Sequence, residues 1–562
     1  MAAKRQKHGK EPPAAPKSFR DRPEPASQRI IAFLQRRGRA VAVAAVLLAT
    51  LRIVATYHVF DHTSDEPAHL ACGMEYLAKG AYTWETQHPP LARLAVALGP
   101  YLIGLRPQNT PHTGYIQMFR EGVNILYSGH RYELALSMAR AGVLPFFWLA
   151  CLVVYLWGVR YFHRAVAATA VLFFTFVPPV LAHSGLATTD IALTAFLAAA
   201  FLAGRIWLEE PTWKHGLLFG VLSGLMLLAK FSCLVFFPAS VALSLAWYFY
   251  RQRPGLAEVW KSAVERIPSL GLAVLTGCVV VWGGYRFSFD KVPAPELWAG
   301  IQMVREHNTI GHLCYLLGNV GEHGFWDFYW VALAVKTPVG YLALLAVGVA
   351  LAFRKEAAFR NLWLPLAFSM GILLVGMFSH INIGIRHVLP VFVGFSLLAA
   401  FAALHLLQTG GGRRGAVLVA GLLCCWFGAS SLLAHPDYLA YFNESTWFTE
   451  PENILVDSDL DWGQDQKRLA RRLHELGATE VAYAPYIMGD LEREHGFPRI
   501  VNLQKHTPVV GWNAVSVTTW KEIRILDWPV NFWPPRERVG KSILLWYFPP
   551  PPGMPPVTAP PR

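Results

Sequence analysis

The stretch AVAATAVLFFTFVPPVLAHSGLATTDIALTAFLAAAFLAGRIW, residues 165–207, contains two apolar runs, 165–182 and 189–207, with His183 and Asp190 at the break between them. Each run approaches the roughly 20 residues that a helix needs to cross the hydrocarbon core of a bilayer. Two consecutive spans joined by a short turn bearing ionisable groups indicate a membrane protein with chemistry at one face. Outward from this pair, further apolar runs lie at 40–60, 134–158, 216–229, 232–250, 267–284, 328–353, 362–379, 387–408 and 415–433. The reading is a mainly α, polytopic membrane protein with about eleven transmembrane helices.

Composition agrees. Over 562 residues the chain is 54% hydrophobic and 15% charged, with mean hydropathy +0.32, which is too apolar for a soluble enzyme. The net charge of +13 could suggest nucleic acid. However, residues 1–39 alone hold eleven Lys/Arg against three Asp/Glu. That Pro-rich stretch reads as a disordered basic cytoplasmic tail over anionic membrane lipid, and no nucleic-acid partner is expected. Basic residues recur in alternate loops: Arg160 and Arg164, Lys214, Arg251 with Arg253 and Lys261, Arg354 with Lys355 and Arg360, and Arg413 with Arg414. The positive-inside rule makes these loops cytoplasmic. The loops 61–133 and 285–327 and the segment 435–562 then fall outside the cytoplasm, and 40–434 forms the transmembrane domain.

The remaining intramembrane charges gather toward that outer side. Asp65 and Glu66 follow the first run, His183 and Asp190 join the third and fourth, Lys230 ends the fifth, Lys336 lies within the eighth, and Arg386 and His387 open the tenth. Such residues singly can snorkel, but as a set they predict a polar cavity. In DHTSDEPAHL, Asp65 and His69 share a face if the segment is helical, and Pro67 suits the first turn. Asp65 could serve as a general base or as a helix cap. QHPPLARL adds His88 and, behind a fixed turn, Arg93, a residue type suited to phosphate or carboxylate.

Two features of the C-terminal segment are separable from that cavity. DSDLDWGQD, residues 457–465, looks like a calcium loop, but Trp462 stands where an EF-hand needs Gly and Arg468 where it needs the bidentate Glu. Capping of a helix over 464–476 is the expected role. The runs VAYAPYI, WNAVSVTTW and SILLWYF read as strands, giving a small α/β domain outside the cytoplasm. Of seven cysteines, only Cys72 and Cys314 fall in the outer loops. They could pair, although buried free thiols are the expected state.

DEPAHLACGMEYLAKGAYTWETQHPPLARL at 65–94 resembles the first outer loop of bacterial family-39-like glycosyltransferases of the GT-C superfamily, relatives of dolichyl-phosphate-mannose protein mannosyltransferases. The resemblance continues through LAHSGLATTDIAL (181–193), AKFS (229–232), VKTP (335–338), IGIRHVLPVF (383–392), YLAYFNE (438–444) and DSDLDWGQDQKRLARRL (457–473). It implies a hexosyltransferase, mannosyltransferase-like, that moves sugar from a polyprenyl-phosphate donor to a protein, lipid or glycan acceptor. Transfer would occur at the outer face of a bacterial inner membrane. In that motif Asp65 becomes the base and Glu66 its catalytic neighbour, with single displacement and inversion. Arg93, Lys230, Lys336 and Arg386 are the cations available to a leaving phosphate. His69, His88, Asp190 and His387 are candidates for acceptor or sugar binding. No cofactor is required by these residues. Asp190 fits acceptor positioning, cation orientation or a divalent metal equally. A transporter or flippase of lipid-linked sugars is the alternative reading, since the same cations would bind the same phosphate, and a scaffold protein is a third.

Overall fold

A computed structural model describes residues 26–409, 414–528 and 534–550. Among them, seven helices are long and apolar enough to cross a bilayer: Tyr132–Tyr161, Asp190–Glu209, Cys233–Gln252, Leu256–Gly284, Ala357–Gly376, Val391–Gln408 and Gly415–Leu433. The pair Arg164–Phe174 and Pro178–Ser184, bent by 69°, makes an eighth if counted as one span. The protein is a mainly α, multi-pass membrane protein.

By this measure the expected count of eleven is not confirmed, and the reasons are local. Every apolar run does become helical, but prolines divide two of them. Pro178 and Pro179 start a new helix in the 165–182 run, and Thr337–Pro338 splits 328–353 into Phe328–Lys336 and Val339–Ala352. Proline lacks the amide that continues a helical ladder and pushes the residue before it toward extended backbone. Trp213–Ala229 is a shorter apolar helix. The first helix, Ala26–Val54, carries Arg29, Arg36, Arg37, Arg39 and Arg52. It also corrects the reading of a disordered tail to residue 39: residues 26–39 are helical and continue directly into the first apolar run. Residues 1–25 of that tail lie outside the described residues.

Burial separates the helices. The apolar window of Asp190–Glu209 is 83% buried, whereas those of Cys233–Gln252 and Leu256–Gly284 are 17% buried. The helix that begins with Asp190 is thus the central one, and its N-terminus lies where other elements converge. The region after residue 434 carries a five-stranded sheet in the order Arg499–Val501, Glu480–Ala484, Gly511–Ser516, Ile543–Phe548, Glu537–Val539. The first two pairings are parallel and the last two antiparallel. Leu469, Leu473, Val481, Tyr483, Ala514 and Leu545 form its own core. All three predicted runs contribute strands, although the second ends at Ser516 and its remainder, Val517–Trp520, turns into the short helix Val517–Lys521.

Segment 61–133 is helical rather than loose, with Glu66–Lys79, Pro90–Leu102 and Tyr115–Tyr127. Gly73 allows the first two to meet, because a Cβ there would stand 2.0 Å from the Arg93 carbonyl oxygen. This contact sets Arg93 beside His69.

Candidate active site

Asp65 opens the helix Glu66–Lys79, with Pro67 in its first turn. Its carboxylate does not cap that helix. Instead Oδ2 accepts a hydrogen bond from Arg386 Nη1 at 2.9 Å, and the side chain remains 32% exposed. Arg386 belongs to the short 3-10 turn Ile385–Val388 that precedes the helix Val391–Thr409. Its Nη1 also lies 3.9 Å from Asp190 Oδ2, and Asp190 Oδ1 accepts from Lys230 Nζ at 2.6 Å. The result is a continuous row, Asp65–Arg386–Asp190–Lys230, drawn from four separate segments. His387 stands in the field of Asp190 and Lys230, and His69 in that of Asp190 and Arg386. Asp190 Oδ2 and His183 Nδ1 are buried without a hydrogen-bond partner among the described residues. Buried polar atoms are otherwise almost always paired, so these two mark polar space for a further group.

The segment Asp457–Asp459 covers this row. Arg386 Nε donates to Ser458 Oγ at 3.1 Å, and its guanidinium lies 4.1 Å from the centroid of the Trp462 ring. Asp459 Oδ1 accepts from the Ile385 amide at 3.1 Å. Gly384 is required for the approach: with φ of 141°, any Cβ there would meet Ser458 Oγ at 2.1 Å.

Glu66, next in sequence to Asp65, is placed differently. It is 1% exposed and receives Arg140 Nε and Nη2, each at 2.9 Å, together with the amides of Thr63 and Ala187 at 2.8 Å. Burial works against its ionisation, but Arg140 and these donors prevail and hold the carboxyl below its ordinary range. Arg93 is also internal. Its Nε donates to His69 Nδ1 at 3.2 Å, Nη1 to Tyr82 Oη at 2.9 Å and the Glu85 carbonyl at 2.8 Å, and Nη2 to the Glu85 carboxylate. Although burial opposes it, the Arg93 charge, followed by His88, brings Glu85 down to about 2. His88 faces Glu85 through Nδ1 at 3.1 Å and meets His69 edge to face at 5.2 Å. Lys336 Nζ donates to the carbonyl oxygens of Leu439, at 2.7 Å, and Asp459, and lies 4.4 Å from the Phe442 ring centroid. Arg93 and Lys336, two of the four cations expected near a leaving phosphate, differ in setting from the other two. Both are held by internal acceptors, whereas Lys230 and Arg386 sit on the row.

Residues 139–282 match the family model of dolichyl-phosphate-mannose-protein mannosyltransferases. The resemblance to that family is borne out over this stretch, which contains the motifs at 181–193 and 229–232. No curated protein sequence matches the chain. Among solved structures, it is similar to ArnT from Cupriavidus metallidurans bound to undecaprenyl phosphate, at 13% identity and TM-score 0.49, covering 90% of this chain and 97% of that one. It is also similar to the Archaeoglobus fulgidus oligosaccharyltransferase, at 14% identity and TM-score 0.42, covering 78% of this chain and 57% of that one.

Sequence reasoning missed Glu85, Arg140, Asp457, Ser458 and Glu522. Arg140 has a legible signal, a lone cation inside an apolar run that must find a buried acid. Asp457 has none, because its role depends on which segment folds over it. The residue adopts φ of +52°, it is buried, and its Oδ1 lacks a hydrogen-bond partner among the described residues. Burial pushes its carboxyl up to about 7 against the pull of Arg386, and burial beside Asp457 pushes Glu522 up to about 9. The expected capping of the following helix by these aspartates is not what forms. The helix runs Gln466–Glu475 without a side-chain cap, while Asp461 accepts from the Thr518 amide at 3.1 Å and from Ser516. Cys72 and Cys314 are free and buried. Among the described residues, no group of three or more His, Cys, Asp or Glu is arranged to hold a metal ion.

Proposed function

We propose that this protein transfers a sugar from a polyprenyl-phosphate-linked donor to an acceptor hydroxyl at the outer face of the membrane, with inversion, and that Asp65 is the general base. The supporting observation is the contrast in the acidic pair: Asp65 remains partly exposed on a shared arginine, while Glu66 is sealed by Arg140. A base must reach the hydroxyl it deprotonates, and only Asp65 has an oxygen to offer.

In the transfer, the acceptor oxygen bonds to the anomeric carbon as its proton passes to the Asp65 carboxylate. The bond from that carbon to the phosphate oxygen breaks, and its electron pair leaves with the phosphate. Arg386 and Lys230 take up the charge that develops there. A donor phosphate that engages Arg386 weakens its hold on Asp65, so donor binding releases the base where it is needed. Arg93 positions His69 and His88 through Glu85, and Glu66 with Arg140 fixes the start of the helix that bears Asp65. His183, Asp190 and His387 face the sugar or the acceptor.

The test is incubation of the purified protein with labelled polyprenyl-phosphate sugars and analysis of the glycosylated product. Asp65→Asn should lower turnover about a hundredfold or more with donor binding retained. Near-normal turnover in that variant removes Asp65 as the base. Orientation is tested separately: a reporter active only outside the cytoplasm should be active when fused after Phe442 and silent at Arg413.

A further inference from the structure

A second site lies at the C-terminal end of the helix Val517–Lys521. There a cleft of about 470 Å³ is bounded by the hairpin Cys314–Leu316/Asn319–Gly321 and by the turn after that helix. Trp520, Lys521, Arg524, Asp527 and Asn453 line it, with the backbone at Gly318. Lys521 Nζ sits 3.9 Å from the centroid of the Trp520 ring and donates to Asn453 Oδ1 at 2.9 Å. Arg524 Nη2 lies 3.4 Å from the Gly318 carbonyl oxygen. Both Leu317 and Arg524 at the rim take left-handed backbone, with φ of 49° and 54°. Asp527 is the acid of the cleft and has Lys505 at 3.9 Å, so Lys521, Arg524 and Lys505 outnumber it and the surroundings favour an anion.

We propose that this cleft binds an acidic saccharide, as the part of the acceptor remote from the reacting hydroxyl. The chemistry matches on three counts. Lys521 and Arg524 supply charged donors for a carboxylate or phosphate substituent. Trp520, covered on one face by Lys521, supplies apolar surface at the cleft wall, and Asn453 with the Gly318 carbonyl matches the hydroxyls of a sugar. The helix Val517–Lys521 links the cleft to Asp457. Thr518, in the same helix, accepts the Asp457 amide at 2.9 Å, and the next residue after Lys521 is Glu522, which lies in the field of Asp457. Asp457 in turn lies in the fields of Arg386 and Asp65. An acceptor held in the cleft would gain affinity from groups that take no part in the chemistry, as remote binding contacts do.

This assignment rests on the proposed sugar transfer, but its test is independent of catalysis. Binding of tetragalacturonate and of neutral maltotetraose to the full-length protein in lipid nanodiscs, without donor, is measured by calorimetry. Tetragalacturonate should bind, maltotetraose should bind at least about tenfold more weakly, and the double substitution Lys521→Gln with Arg524→Gln should weaken tetragalacturonate by about tenfold or more. Trp520→Ala should weaken both ligands, and Asp65→Asn neither. Circular dichroism and gel filtration establish that each variant is folded. Absence of tetragalacturonate binding, equal binding of the neutral sugar, or indifference to the double substitution overturns the site. Intact binding in a protein that transfers no sugar overturns the transferase reading alone.

Discussion

Asp65 and Glu66 are adjacent in the chain and carry the same functional group, yet each is built into a different kind of ion pair. Glu66 and Arg140 are each 1% exposed, with the carboxylate receiving five donors. Asp65 keeps a third of its surface open and shares Arg386 with Asp190. The difference follows from helix geometry: consecutive residues at a helix start point about 100° apart, so one turns into the bundle and the other toward its mouth. A sealed pair serves to hold backbone in place. An open, shared pair can change partners.

The largest effect should come from opening the sealed pair. Arg140→Met leaves Glu66 buried and unpaired and should cost about 3–5 kcal/mol, seen as a fall in the thermal unfolding temperature of the purified protein. Stability near that of the parent chain would show that Glu66 is not committed to structure. A smaller effect is expected at the shared cation. Arg386→Lys keeps the charge but loses the planar fork that reaches Asp65, Asp190 and Ser458 together, and donor affinity should fall about tenfold in a direct binding assay. An unchanged affinity would remove Arg386 from the phosphate site.

The smallest effect concerns pH. Glu522, pushed up to about 9 by burial beside Asp457, keeps its proton in the folded chain after the unfolded chain has released its own near pH 4. Folding stability should therefore fall as pH rises from about 4 to about 9, with Asp457 contributing up to about 7. Glu522→Gln should flatten that fall in unfolding temperature between about pH 6 and 9. If the slope is unaltered, Glu522 does not keep its proton in the folded chain.

Much of the fold was legible in the sequence, and for a physical reason. A bilayer requires long apolar helices, and strands require β-branched and aromatic runs, so composition over short windows reports both. The apolar runs and the three strand runs after residue 480 were read this way. The divided helices show the limit: Pro178, Pro179 and Pro338 were visible, but whether a proline kinks a span or splits it depends on what packs against it.

The candidate site was legible as a set of residue types, because ionisable groups in apolar surroundings are costly and stand out. Their partners were not. Arg93 and Lys336 look as available as Lys230 and Arg386 when only sequence is read. Glu85 sits eight residues from Arg93, the Leu439 carbonyl over a hundred from Lys336, and Ser458 more than seventy from Arg386. Sequence alone determined that this is a helical membrane protein with charges gathered in a few motifs. Tertiary structure alone decided which charges neutralise each other and which remain to act, because pairing at hydrogen-bond range is set by segments far apart in the chain.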